Sequence, residues 1–391
     1  MPDKAFITPK VLRWARESAR MSLEAAAKKV PPVSAEKLGE WEEGLDQPTV
    51  RQAETLANAY KRPFAVFFLP EVPRDFDTLR DFRRNTAKQL STASIFIIRE
   101  IQQKQAWISE MFEENKETEV PFVGKFSLQS QPQTIAKDIL QTLKIEPGKY
   151  KIDNPIREWI DAAEGNGIFV SRTSFIHSKL KIDSEEIQGF AIADSFAPFI
   201  FINSDDWNAP QLFSLVHELA HIWIAESGVS NDIELNARRK ESMHPVELFC
   251  NEIAANALMP TEIMRSYNAD TFNSSVSVFK VAKSIGVSSF AFLVRALNLN
   301  LISMQEYTSL KRAADREFQI FLQNEESKKL KQKEQKGGPN PYLLRLNKNS
   351  KLFTQIVLDA FRGGAIEPTQ ASRLLNTQVN NFPKLEAFLY K

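Results

Sequence analysis

The stretch FSLVHELAHIWIAES, residues 213–227, sets His217, Glu218 and His221 inside an otherwise apolar run. The chain has only four histidines in 391 residues, and two of them stand four apart here. Pro210, just upstream, is a good first-turn residue, so a helix is expected to begin near it. Positions i and i+4 share one helical face, which lets both imidazoles aim at a common point. That point suits zinc. Neutral imidazole binds zinc at roughly 2.0 to 2.1 Å, and a catalytic site takes three protein ligands and leaves a position open for water. Glu218, beside the first histidine, is placed to take a proton from water that the metal acidifies to a pKa of about 7. The competing reading is two core histidines with a satisfied glutamate, or a chance match, which arises on the order of once in a few hundred such chains. Context argues for the metal, because a glutamate between Val216 and Leu219 is costly to bury without a purpose or a partner.

A third ligand is expected on another helix. HPVELFCNEIAANALMP, residues 244–260, places Pro245 in a first turn and sets Glu247 and Asn251 four residues apart. Glu247 can then meet the metal while Asn251 faces the same way and orients a histidine ring. Glu252 is the competing carboxylate, on a different helical face and expected in solvent. His244 reads as a ligand, a transition-state donor or, more ordinarily, a helix cap. His177 reads as an unremarkable strand or loop residue.

Composition bounds the alternatives. With 43% hydrophobic and 25% charged residues, the chain is expected to bury a sizeable core and to divide into two to four domains. A formal net charge of +1 argues against whole-protein attraction to nucleic acid or an acidic membrane. MPDKAFITPK lacks the apolar core of a signal peptide, and runs such as FAVFFL are far too short to span a membrane. One cysteine, Cys250, permits no intrachain disulfide and fits a reducing compartment. These features lead to the expectation of a soluble, cytoplasmic protein.

Residues 7–69 read as five short helices, with Ser22 and Ser34 as N-caps and Gly44 as a stop. The segments SLEAAA and EWEEGLDQP make this region similar to the N-terminal domain of Xre/Cro-type helix-turn-helix repressors. The resemblance implies a helix-turn-helix fold and duplex DNA as a partner. The charges oppose that partner: the helix that would enter the major groove, Ser34 to Glu43, carries Glu36, Glu40, Glu42 and Glu43 against Lys37 alone. Lys28, Lys29, Lys37 and Arg51 remain the candidate nucleic-acid contacts. The alternative reading is a helical module that binds protein or merely packs on its neighbour.

The rest of the chain is expected to hold a connector and helical region over 71–149, an α+β domain over 150–325, a charged linker over 326–340 and a helical tail over 341–391. IFVSRTSF and IQGFAIADSFAPFIFIN carry strand signals, with a hairpin tip near Asp194 to Pro198, and PFIFIN is expected to offer a free edge to a peptide. VAKSIGVSSFAFLVRALNLNLIS reads as two helices about Gly286 that support the metal helices. The 51 C-terminal residues carry seven Lys/Arg against three Asp/Glu, which permits a partner contact without requiring one.

FSLVHELAHIWI, followed 26 residues after His221 by ELFCNEIAANALMP, resembles the ImmA/IrrE metallopeptidases, whose second motif runs E-x-x-A-N-x-F-A-A-x-L-L-M-P. Ala220 stands where a glycine is common, Cys250 for alanine, Ile253 for phenylalanine and Ala257 for leucine. The resemblance spans about residues 150–310 plus the N-terminal module. It implies a zincin-like α+β domain in a mainly α protein with a small β-sheet, zinc on His217, His221 and Glu247, and Glu218 as catalytic base. It also implies a narrow protein substrate, a repressor whose cleavage relieves transcription of stress or mobile-element genes. Two rival functions stand beside this reading: a DNA-binding regulator or antitoxin-like protein with a structural or latent metal site, and an interaction scaffold.

Overall fold

The computed structural model describes residues 3–76, 79–81, 89–177, 180–230, 244–333 and 340–390. The fold is mainly helical with a small mixed sheet. The chain forms two compact units. The first takes the described residues of 1–78, 87–102 and 175–186, and the second takes the remainder.

The first unit opens with α1 (Pro9–Ser18), α2 (Leu23–Ala27), α3 (Ala35–Glu43) and α4 (Val50–Ala59). Ser22 and Ser34 cap α2 and α3 by accepting the amides of Ala25 and Lys37, each at 3.2 Å. Thr49 and Gln52 form a reciprocal capping box at the start of α4. Where a fifth α-helix is expected, PFAVFFL forms a 3-10 turn over Phe64–Phe68, whose Phe67 carbonyl accepts the Thr8 amide at 2.8 Å. Leu12, Leu38, Leu56, Tyr60 and Phe67 are fully buried at the centre of these elements. Arg16 makes two hydrogen bonds to the Glu42 carboxylate, at 2.7 and 2.8 Å, and this pairing raises the guanidinium pKa further.

A short strand, β1 (Arg80–Asp81), lies within the region expected as connector and helices. Two residues are too few to show a period, and tertiary pairing alone creates this strand. Next come α5 (Thr92–Glu114), α6 (Pro132–Leu143) and α7 (Pro155–Gly165). IFVSRTSF, expected as one strand, breaks after Arg172. Its first half forms β2 (Phe169–Arg172), and its last residue opens β3 (Phe175–His177), which among the described residues pairs only with β4 (Leu180–Lys181). That hairpin belongs to the first unit, where Ile176 and Leu180 pack on the helical core.

The second unit holds the larger sheet. β5 (Gly189–Ile192) and β6 (Phe199–Ile202) are antiparallel, joined by a turn in which Asp194 accepts the amides of Phe196 and Ala197. With β7 (Gly228–Ser230) the order across the sheet is β1-β7-β5-β6-β2. β6 is therefore interior, bonded to β5 on one side and β2 on the other. PFIFIN offers no free edge, contrary to expectation. Its unbroken apolar run, Phe199 to Ile202 all buried, is the pattern of a strand covered on both faces. Phe190 stacks on Phe201 at 5.0 Å and Phe169 on Phe199 at 5.5 Å, which ties the three strands by side chains as well as backbone.

α8 (Asn208–Trp223) packs on β5 and β6, and α9 (Pro245–Leu258) packs on α8 and α6. α8 is buried from Gln211 to Trp223 without a solvent face. After α10 (Thr261–Ser266), α11 (Ser275–Ile285) and α12 (Ser289–Asn298) meet at Gly286, whose φ of +88° and close approach to Pro155 and Leu212 leave no room for a β-carbon. Among the described residues no single helix is long and apolar enough to cross a membrane; α11 and α12 pass only as a pair, bent by 97°. α13 (Met304–Lys333) continues well into the stretch read as a linker, because its Glu, Lys and Gln residues are good helix formers; residues 334–339 lie outside the described ones.

The tail forms α14 (Pro341–Asn349), α15 (Lys351–Arg362), α16 (Pro368–Leu374) and α17 (Phe382–Leu389). It is anchored to the second unit by buried polar contacts. Ser171 of β2 donates to the Lys348 carbonyl at 2.6 Å, and Lys104 of α5 donates to Asn349 at 2.8 Å. Glu164 accepts from the Ser350 hydroxyl and the Lys351 amide, while burial pushes its carboxyl pKa up to about 7.

Candidate metal centre

α8 and α9 bring three of the expected ligands together. His217, His221 and Glu247 are each at most 2% exposed, and one donor atom from each lies within 4.8 Å of the others. The two Nε2 atoms are 3.1 Å apart, and each stands 3.1 to 3.2 Å from a Glu247 oxygen. The opposite ring nitrogens are committed elsewhere. His221 Nδ1 faces the Glu226 carbonyl at 3.0 Å and His217 Nδ1 faces Asn251 Oδ1 at 2.9 Å. Both partners are acceptors, so the protons sit on Nδ1 and both Nε2 lone pairs point inward. Burial keeps the His221 pKa low and the ring neutral.

Two imidazole lone pairs and a carboxylate thus converge on one point with no proton between the nitrogens. Such a donor set repels itself unless a cation fills it, and two nitrogens with one oxygen suit a divalent transition metal. Ser230 of β7 donates to Glu247 at 3.2 Å, so each of the three ligands has a hydrogen-bonded support, the arrangement such ligands require.

Glu218 differs from its neighbours. It is fully buried, neither carboxylate oxygen has a hydrogen-bond partner among the described residues, and burial together with the Glu247 charge pushes its pKa well up. A carboxyl group kept out of water and left unpaired costs on the order of 1–3 kcal/mol, a burden typical of groups held ready for proton transfer.

The other sequence candidates fall outside this cluster. Glu252 is exposed, and His244 caps α9 by accepting the Val246 amide at 3.3 Å. His177 lies on β3, in the first unit. Lys28, Lys29 and Arg51 are exposed in the first unit, whereas Lys37 is held at 2.7 Å by both Glu40 and Asp46. Sequence reading missed Ser230, which no pattern marks, and Gly189, whose place at the head of an apolar strand signalled a close approach.

The helices packed over the small mixed sheet thus gather a buried His-His-Glu group that could hold a metal ion, beside a buried glutamate. Residues 163–297 match the family model Peptidase_M78, described as the IrrE N-terminal-like domain. The matched span contains His217, Glu218, His221, Ser230, Glu247 and Asn251, and supports both the ImmA/IrrE resemblance and a peptidase. No curated protein matches the chain.

Proposed function

We propose that the protein is a zinc-dependent endopeptidase of narrow specificity that cuts a repressor or another regulatory protein and so controls transcription. The observation that carries this reading is the convergence of the His217 and His221 lone pairs and the Glu247 carboxylate beside an unpaired, buried Glu218. In this reading His217, His221 and Glu247 hold the metal, and Asn251 fixes the His217 ring. Zinc there supplies Lewis acidity, which polarises a carbonyl oxygen and makes water a usable nucleophile near neutral pH. Glu218 takes the proton from the attacking water as the carbon–oxygen bond forms. It then delivers that proton to the amine nitrogen as the carbon–nitrogen bond breaks.

The reading is tested on a cytosolic extract treated with the purified protein, with new protein N-termini identified by terminal labelling. One or a few new termini should appear, vanish with a chelator and return with added zinc. A set of termini that persists unchanged under chelation would count against it.

The first unit, in this account, brings the peptidase to its regulatory target and contributes little DNA affinity. Glu36 and Glu43 are exposed on α3, and the one lysine of that helix is already paired to two carboxylates. Few phosphates can be neutralised, so binding to generic duplex is expected to be weak and to fall steeply with salt. Fluorescence anisotropy across a salt series measures this. A specific duplex held at nanomolar affinity in physiological salt would show that the glutamates do not govern the surface.

A further inference from the structure

His217, His221 and Glu247 are each oriented by a hydrogen bond, but Glu218 has none among the described residues. Something other than hydrogen bonding must fix its carboxylate. Gly189, the first residue of β5, faces it. A β-carbon built on Gly189 would stand 2.8 Å from Glu218 Oε1 and 3.2 Å from Glu218 Cγ, and 3.1 Å from the Phe201 carbonyl oxygen of β6. The Gly189 backbone is not in the left-handed region, so glycine is not required there for conformation. It is required for space.

The strand cannot retreat to make room. Gly189 pairs with Ile202 of β6 on one side and Ser230 of β7 on the other, and the Phe201 carbonyl closes the remaining direction. Ser230, directly across from Gly189, is also the residue whose hydroxyl holds Glu247. One rung of the sheet therefore seats Glu218 by shape and Glu247 by a hydrogen bond.

We propose that Gly189 is the positioning residue for Glu218, its missing side chain forming the rigid seat that sets where the carboxylate stands relative to the His217, His221 and Glu247 cluster. The functional consequence rests on Glu218 being the base; the seat itself does not. With alanine at 189, the flexible Glu218 side chain is the part that must shift. Displacement of a reacting group by a fraction of an ångström to 1 Å is worth up to about 10²-fold in rate.

The test uses Gly189→Ala in the full chain. Zinc content by elemental analysis should equal that of the wild type, since no ligand or its support is altered. Turnover of a fluorescence-quenched peptide carrying the cleavage site found in the extract should drop about 10- to 100-fold in kcat with little change in KM. In the Glu218→Gln background the same substitution should cost nothing further in rate. A thermal cycle needs no substrate: Gly189→Ala should lower the melting temperature by several degrees when Glu218 is present and much less in the Glu218→Ala background. Equal losses in both backgrounds would overturn the seat. So would unchanged kcat in Gly189→Ala while Glu218→Gln is inactive. If Glu218→Gln cleaves normally, the base assignment fails, and the thermal cycle still decides the seat.

Discussion

Glu218→Gln is expected to keep its zinc and its thermal stability and to lose cleavage by at least 10²- to 10⁴-fold, the usual worth of general-base assistance. Glutamine preserves the shape that fills the space beside Gly189 but cannot accept a proton at neutral pH. Among the described residues no hydrogen bond is broken, because neither Glu218 oxygen makes one there. Rate, metal content and melting temperature, measured on one preparation, separate the alternatives. Cleavage at the wild-type rate, with contaminating protease excluded, would remove Glu218 as the base. Loss of zinc would instead make Glu218 a ligand and reopen the assignment of Glu247.

The second large effect concerns the ligands. His217→Ala and Glu247→Ala should each lose most of a metal content of about one zinc per chain, because a three-ligand site reduced to two no longer holds the ion firmly. The supports should matter less: Asn251→Ala and Ser230→Ala are expected to weaken affinity by about 10- to 100-fold. Competition against a chromophoric chelator gives these affinities. Full retention of metal by Glu247→Ala would show that the third donor is another group.

The metal centre was largely legible because its parts are local. Four-residue spacing fixes a shared helical face, so His217 with His221, and Glu247 with Asn251, could be paired before any tertiary structure was known. The helices were legible for the same reason, through caps such as Ser22 and Ser34. Ser230 and Gly189 act across a rung of the sheet, and pairing between distant segments leaves no local period to read. β1 and β7, two and three residues long, were hidden in the same way. PFIFIN misled because an unbroken apolar run does not say whether a strand lies at an edge or inside. The charged end of α13 misled through composition, since low-complexity Glu and Lys also favour helix.

The central claim, that His217, His221 and Glu247 hold one catalytic zinc, is tested most directly by anomalous diffraction from a crystal grown without chelator or added metal, recorded on both sides of the zinc absorption edge. The account predicts a single strong peak at the zinc edge, within bonding distance of the two Nε2 atoms and a Glu247 oxygen. The absence of any transition-metal peak there, or a peak ligated by other residues, would contradict it.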